Sequence, residues 1–224
     1  MRKHLLRNLI TLAVIIGLLF LPAGTLRWPQ GWIFLALLIG CSLALGLWLR
    51  RTDPALLAER MKSPFSPDQA LRDRLVMGAI LLAFATWLGF MALDARRFAW
   101  SHVPPWAQWL GAVLILGAFI GWVAVLKANS FASVAVRLQP ERGQRVISTG
   151  PYAVVRHPMY AFALLLMLGM PLLLGSLWGL FGVVLLAPLL AARVAGEEAM
   201  LNAGLPGYRE YAARVRYRLL PGLW

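Results

Sequence analysis

PMYAFALLLMLGMPLLLGSLWGLFGVVLLAPLLAA, residues 158–192, decides the fold. It carries no charged side chain, and apolar runs of this kind are the mark of membrane helices. Gly175-Ser176 divides it into Pro158–Leu174 and a run reaching Ala195 from Leu177, which must turn back on each other as a tight hairpin. Each arm traverses roughly 25–29 Å at about 1.5 Å per residue. Working outward, four further apolar runs precede it, at Leu9–Thr25, Gly31–Leu49, Leu75–Leu93 and Trp106–Leu126. The chain is 60% hydrophobic and 14% charged with a mean hydropathy of +0.70, outside the range of soluble domains. No stretch between the spans exceeds about 30 residues, too few for a core of its own. The expected fold is an all-α integral membrane protein of about six transmembrane helices with a C-terminal helical hairpin.

The net charge of +13 is distributed unevenly. With the N-terminus in the cytoplasm, Arg2, Lys3 and Arg7, the loop 50–74, the loop 127–157 and the tail from Arg193 all share one side. Of 22 lysines and arginines only Arg27, Arg96 and Arg97 fall on the other. That bias predicts a multi-pass protein with both termini cytoplasmic. It also accounts for the basic charge through topology and anionic lipid, and no nucleic-acid-binding pattern is present. A basic start before an apolar run, with Ala23-Gly24 behind it, also mimics a cleavable leader; the spans that follow favour an uncleaved first helix.

Cys41 lies inside the second span and reads as a small apolar filler. With His4, His102 and His157 scattered, no metal-ligand spacing exists, so no metal is expected. Trp28, Trp32, Trp100 and Trp106 sit near span ends, as an interfacial belt requires. The loop 50–74 mixes charge with apolar residues at partly helical spacing and predicts a short helix on the membrane surface, interrupted by Pro64 and Pro67. Neither a GxGxxG nor a P-loop spacing occurs, so helices and loops must form any cofactor pocket.

Arg156-His157-Pro158 opens the fifth span. Proline suits the first helical position, which leaves Arg156 and His157 just outside, beside free N–H groups and the positive end of the helix dipole. That is an anion-binding arrangement, although Arg156 also reads as a topology residue and His157 as a cap. Glu197-Glu198 stands at the end of the sixth span, where two carboxylates oppose the dipole and need cations or water. Arg193 is one turn earlier, an i, i+4 partner for Glu197. The hairpin brings both groups to one side at similar depth, and their complementary charge suits a zwitterionic ligand. The tail, with Tyr208, Tyr211, Tyr217, Arg214, Arg216 and Arg218, is placed to close the site from below or to anchor at the interface.

VISTGPYAVVRHPMY (146–160), then the hairpin, the Glu197-Glu198 pair and GYREYAARVRYRLLPGLW (207–224), resembles the isoprenylcysteine carboxyl methyltransferase family, with its membrane phospholipid and thiol methyltransferase relatives. FLPAGTLRWPQGW (20–32) is similar to the start of bacterial members, which implies a bacterial inner membrane. The resemblance divides the chain into helices 1–4 over 1–126 and a methyltransferase-like catalytic region over 127–224. It implies a cytosolic-face pocket for S-adenosylmethionine, open to lipid for a lipophilic or small-molecule acceptor. By the same likeness Arg156, His157, Pro158 and Tyr160 match the RHPxY motif, Glu197 and Glu198 the carboxylate pair, and Tyr152 the GPY segment. Asn129 and Phe131 resemble a cofactor-pocket segment. Phe162 departs from the pattern, standing where many members have glycine.

Methyl transfer needs alignment more than proton handling. His157, Arg156 and Arg193 are the candidate catalytic residues, with His157 able to take a proton from an amine acceptor. The cofactor carboxylate is expected at Arg156. Two alternatives remain: an NADPH-dependent membrane reductase of the sterol-reductase type, whose tail is similar, and a lipid-binding membrane protein without chemistry.

Overall fold

The computed structural model describes residues 2–63, 65 and 71–224, with side chains from residue 10 onward. Pro64 and Pro67 as loop breakers, and the side chains of Arg2, Lys3, His4 and Arg7, lie outside the described residues. Among the described residues all regular structure is helical: α1 (Arg2–Ala23), α2 (Pro29–Thr52), α3 (Pro54–Arg60), α4 (Leu71–Ala92), α5 (Pro105–Ala128), α6 (Pro158–Leu174), α7 (Gly179–Gly204) and α8 (Tyr208–Arg214). Proline stands in the first turn of α2, α3, α5 and α6, where its missing N–H has no helical partner to lose. Four helices are long and apolar enough to cross a membrane: Pro29–Thr52, Leu71–Arg97, Pro105–Ala128 and Gly179–Gly204. Ile10–Ala23 and Pro158–Leu174 are shorter apolar helices. The protein is therefore an all-α membrane protein, and every expected apolar run is a helix.

The bundle is joined where side chains are small. A Cβ on Gly111 of α5 would lie 2.6 Å from Gly169 O of α6, and one on Gly169 would lie 2.7 Å from Gly111 O. Only glycine at both positions lets these backbones touch, the usual way apolar helices associate in lipid. On the other flank Trp87 of α4 fills the notch at Gly182 of α7 and donates its indole N–H to Gly179 O at 2.7 Å. The shared core runs through Leu19, Phe34, Met91, Ile115, Met170 and Leu174.

The hairpin turn is held from both strands of the chain. Gly175 takes φ +90°, and Ser176 N donates to Pro171 O at 2.8 Å, the glycine-terminated helix end that reverses a chain. Beneath it, the fully buried Asp94 sits in a π-helical segment, Leu93–Arg97, that extends α4. Its Oδ2 accepts from Ser176 Oγ at 2.5 Å and Ser101 Oγ at 2.7 Å.

The expectation for the sixth span needs correction. α7 does not stop near Ala195 but runs to Gly204, so Glu197 and Glu198 lie inside the helix, about two turns before its end. Pro206 and Gly207, the latter at φ +80°, impose the real break. The carboxylates therefore do not face the terminal carbonyls of their helix. The 50–74 loop does contain a short helix, α3, which is seeded by Asp53: its Oδ1 accepts from Leu56 N at 2.9 Å.

Candidate functional site

Three non-spanning segments converge at the Arg156 end of the bundle. α3 is tied to the α5–α6 connection by Asp53 to Ser130 and by Glu59, whose Oε1 accepts from Arg137 Nη2 at 2.8 Å. Glu59 is buried, which by itself disfavours its charge; hydrogen bonds from Lys62 and Arg137 outweigh that and hold its carboxyl below the ordinary range. Within the connection, buried Gln139 donates to Phe131 O at 2.8 Å and accepts from Arg142 at 2.6 Å, and the Arg142 guanidinium lies 5.6 Å from the Phe131 ring centre. Asn129 donates to the Tyr152 hydroxyl at 2.9 Å while its Oδ1 accepts from Phe131 N. Tyr211 of α8 donates to Tyr152 O at 2.8 Å and draws the tail against the same loop.

These segments and α4–α7 enclose a cavity of about 350 Å³, within the size range of small-molecule sites. Asn129, Phe131, Tyr152, Arg156, His157, Tyr160, Arg193 and Glu197 all line it. Pro158 and Glu198 do not: Pro158 is wholly buried at the start of α6, and Glu198 points behind the wall.

The two glutamates have different surroundings. Glu198, 7% exposed, accepts from Arg156 Nε at 2.6 Å and Arg218 Nε at 2.8 Å, with His157 Nε2 at 3.2 Å. Glu197 is more open and accepts from the Tyr160 hydroxyl at 2.8 Å. That hydroxyl in turn accepts from Arg193 Nε at 3.0 Å. The expected direct pair between Arg193 and Glu197 is thus replaced by a bridge through Tyr160, because buried Arg193 reaches across to α6 and to Val134 O. His157 is buried between both carboxylates, its Nδ1 4.0 Å from Glu197 Oε2.

The open anion-binding helix start is also corrected. Arg156 N and His157 N donate to Tyr217 O and Arg218 O, both at 2.9 Å. Arg156 Nη1 donates to the carbonyls of Ala212, Val215 and Arg216. The tail occupies this position because a buried guanidinium and buried N–H groups need internal acceptors. Phe162 is explained as well: its ring lies over Gly121 of α5, where a Cβ would collide with it, and it does not line the cavity.

Sequence reasoning missed Arg60, Met77, Ile80, Trp122 and Leu190 as lining residues. Trp122 read as one more apolar residue in a span; its indole donates to Met159 O at 3.0 Å, in the first turn of α6. Arg60 donates to Ala132 O at 3.0 Å, and no local pattern in the 50–74 loop signals that contact. Tyr208 belonged to the expected tail cover, but the residue lines the cavity, and its hydroxyl is buried with no hydrogen-bond partner among the described residues. The described residues include no group of histidines, cysteines and carboxylates arranged for a metal.

No curated protein matches this chain. Residues 106–204, by contrast, match the family described as phospholipid methyltransferase, and this span supplies α5, α6, α7 and the connection that walls the cavity. That family supports a membrane methyltransferase. Residues 106–204 thus carry a match to the phospholipid methyltransferase family, which belongs to the isoprenylcysteine carboxyl methyltransferase-like group of membrane methyltransferases.

Proposed function

We propose that the protein is an S-adenosylmethionine-dependent methyltransferase that acts at the cytosolic face of a membrane on a lipophilic or small acceptor. The observation that carries this reading is one cavity whose lining combines polar and apolar side chains. Glu197, Tyr152, Asn129 and Tyr208 supply the polar side chains, and Met77, Ile80, Trp122 and Leu190 the apolar ones. The polar side chains suit the cofactor. Glu197 would take its ammonium or ribose hydroxyls, Tyr208 would donate to it, and Phe131 with Val146 and Ile147 would flank an aromatic base. Arg156 is spoken for by Glu198 and the tail, so the exposed Arg145, which makes no ion pair among the described residues, is the better partner for its carboxylate. When bound, the cofactor supplies a methyl group on a positively charged sulfur.

The residues of this chain contribute alignment and dryness. Tyr160 holds Glu197 and Arg193 in fixed relation, and the apolar walls of α4–α7 keep water from the reacting groups. His157, buried and held by Glu198, is placed to accept a proton from an acceptor that must lose one. Calorimetric titration of the purified protein with S-adenosylmethionine and with NADPH tests the reading, alongside labelled methyl transfer into membrane extracts. Binding of the methyl donor alone, with a labelled lipid-soluble product, is expected. Binding of NADPH alone would move the protein to reductase chemistry, and binding of neither would leave a lipid-binding protein.

A further inference from the structure

The short helix α3 has two faces of opposite character. On one, Asp53, Leu56, Glu59 and Arg60 meet the body of the protein. Leu56 packs with Leu49 of α2 and Leu126 of α5, while the other three reach the α5–α6 connection at Ser130, Arg137 and Ala132 O. That connection lines the cavity without a break over residues 131–137, and Arg60 lines it too. This face of α3 therefore braces one wall of the cavity.

The opposite face is turned outward. Pro54, Leu57, Ala58 and Met61 follow a helical spacing and, with Lys62, line an open depression of about 410 Å³. No acidic side chain belongs to it. Exposed cations stand at both ends: Arg50 and Arg51 in the last turn of α2, without an ion pair among the described residues, and Lys62 beyond Met61. Lys62 Nζ lies 2.5 Å from Glu59 Oε2, and an ammonium has further donors to offer. Membrane topology accounts for cations beside a span, but not for an apolar face between them or for its link to the cavity wall.

The depth of α3 says what covers this face. α2 is long and apolar enough to cross a membrane, and Asp53 alone separates its end from Pro54. Leu56 packs against residues in the last turn of α2 and of α5, both candidate spans. The helix thus lies where a bilayer changes from acyl chain to headgroup. We propose that the outer face of α3 is a docking surface for anionic phospholipid of the adjoining leaflet. The acyl region lies against Pro54, Leu57, Ala58 and Met61, and headgroup phosphates meet Arg50, Arg51 and Lys62. Docking fixes α3, and α3 fixes the wall 131–137 through Glu59 and Arg60. Each cation held near an anionic surface strengthens the contact about fivefold, and salt weakens it. The order of the cavity wall follows the lipid composition, whatever ligand the cavity takes.

The test places the full chain in nanodiscs of phosphatidylcholine, alone or mixed with phosphatidylglycerol, and follows amide hydrogen exchange by mass spectrometry. Phosphatidylglycerol is expected to slow exchange over 131–137 by about fivefold or more, and to leave 93–103, at the far end of the helices, unchanged. Arg50→Gln combined with Arg51→Gln should bring the two nanodiscs within about twofold of each other. So should Ala58→Glu, which sets a negative charge on the exposed face, and so should high salt on the wild type. Equal exchange in the two wild-type nanodiscs overturns the proposal without any variant having to fold. A slowing that extends equally to 93–103, or that both variants retain, also overturns it, because headgroup charge then acts elsewhere. Inorganic phosphate that protects 131–137 as well as phosphatidylglycerol does would overturn it too, by replacing the lipid surface with a soluble anion. No arm of this test involves S-adenosylmethionine, so the methyltransferase reading stands or falls separately.

Discussion

Arg156 Nε lies 2.6 Å from Glu198 Oε1, joining residues 42 apart in sequence. Both side chains are about nine-tenths buried, so neither is free to find water if the other is removed. Deleting one partner of such a pair is far more harmful than deleting an exposed one. Glu198→Ala is expected to lower stability by about 3–5 kcal/mol, because Arg156, His157 and Arg218 lose their common acceptor. Glu198→Gln, which keeps an acceptor oxygen, should lose less. Thermal unfolding in detergent measures both.

Its neighbour should behave in the opposite way. Glu197 faces the cavity and among the described residues holds only Tyr160 by hydrogen bond, so Glu197→Gln is expected to unfold close to the wild-type temperature. Its affinity for S-adenosylmethionine should fall about tenfold or more, since the lost charge faces a cationic ligand. A calorimetric titration beside a melting curve separates the two effects. Unchanged cofactor affinity would remove Glu197 from the cofactor site.

Phe162 and Gly121 form a matched pair across α5 and α6. Gly121→Val is expected to cost about 1–3 kcal/mol by overpacking. Phe162→Ala should return part of that loss when the two changes are combined. Additive effects in that double-mutant cycle would show that the ring does not depend on the bare backbone beneath it.

Alkali should loosen the tail. Burial, aided by the charge of Glu198 and opposed by Arg156, pushes the Tyr211 hydroxyl from 10.0 up to about 12. The folded value is the higher one, so the neutral hydroxyl's contribution is complete below pH 10 and is lost as pH rises through about 12. Tyr211→Phe is expected to unfold earlier at pH 8, by about 1 kcal/mol for the lost bond to Tyr152 O, and to show a shallower decline between pH 10 and 12. Melting curves across that range provide the comparison.

At the far end, Asp94→Ala would leave the Ser101 and Ser176 hydroxyls without their shared acceptor. A loss of about 2–4 kcal/mol is expected, with S-adenosylmethionine affinity unchanged because the cavity lies at the opposite end of the helices. A fall in affinity matching the fall in stability would instead mean that the two ends are coupled.

The sequence made the helices and the meeting of the Arg156 and Glu197-Glu198 neighbourhoods legible, because apolar length, a two-residue turn and charge type are local signals. Partner choice was not local. Nothing near Arg193 says that Tyr160, rather than Glu197, takes its Nε, since that depends on how α6 and α7 face each other. The division of labour between Glu197 and Glu198 was equally hidden: adjacent residues on a helix point about 100° apart, and only packing decides which one faces a cavity. The length of α7 past Ala195 was obscured by its polar residues, which resemble a span end but remain inside the helix. The lacing of Glu59 to Arg137 joins residues 78 apart and leaves no trace in either segment alone.

The pairing of Arg156 and His157 with the carbonyls of Tyr217 and Arg218 has a consequence for biogenesis. Every apolar helix is synthesised before the segment that seals the floor beneath them. A growing chain thus passes through a stage in which the hydrophobic spans are complete and the cavity still gapes. Shortening the protein ahead of Tyr217 would freeze it in that state: inserted, helical and unsealed.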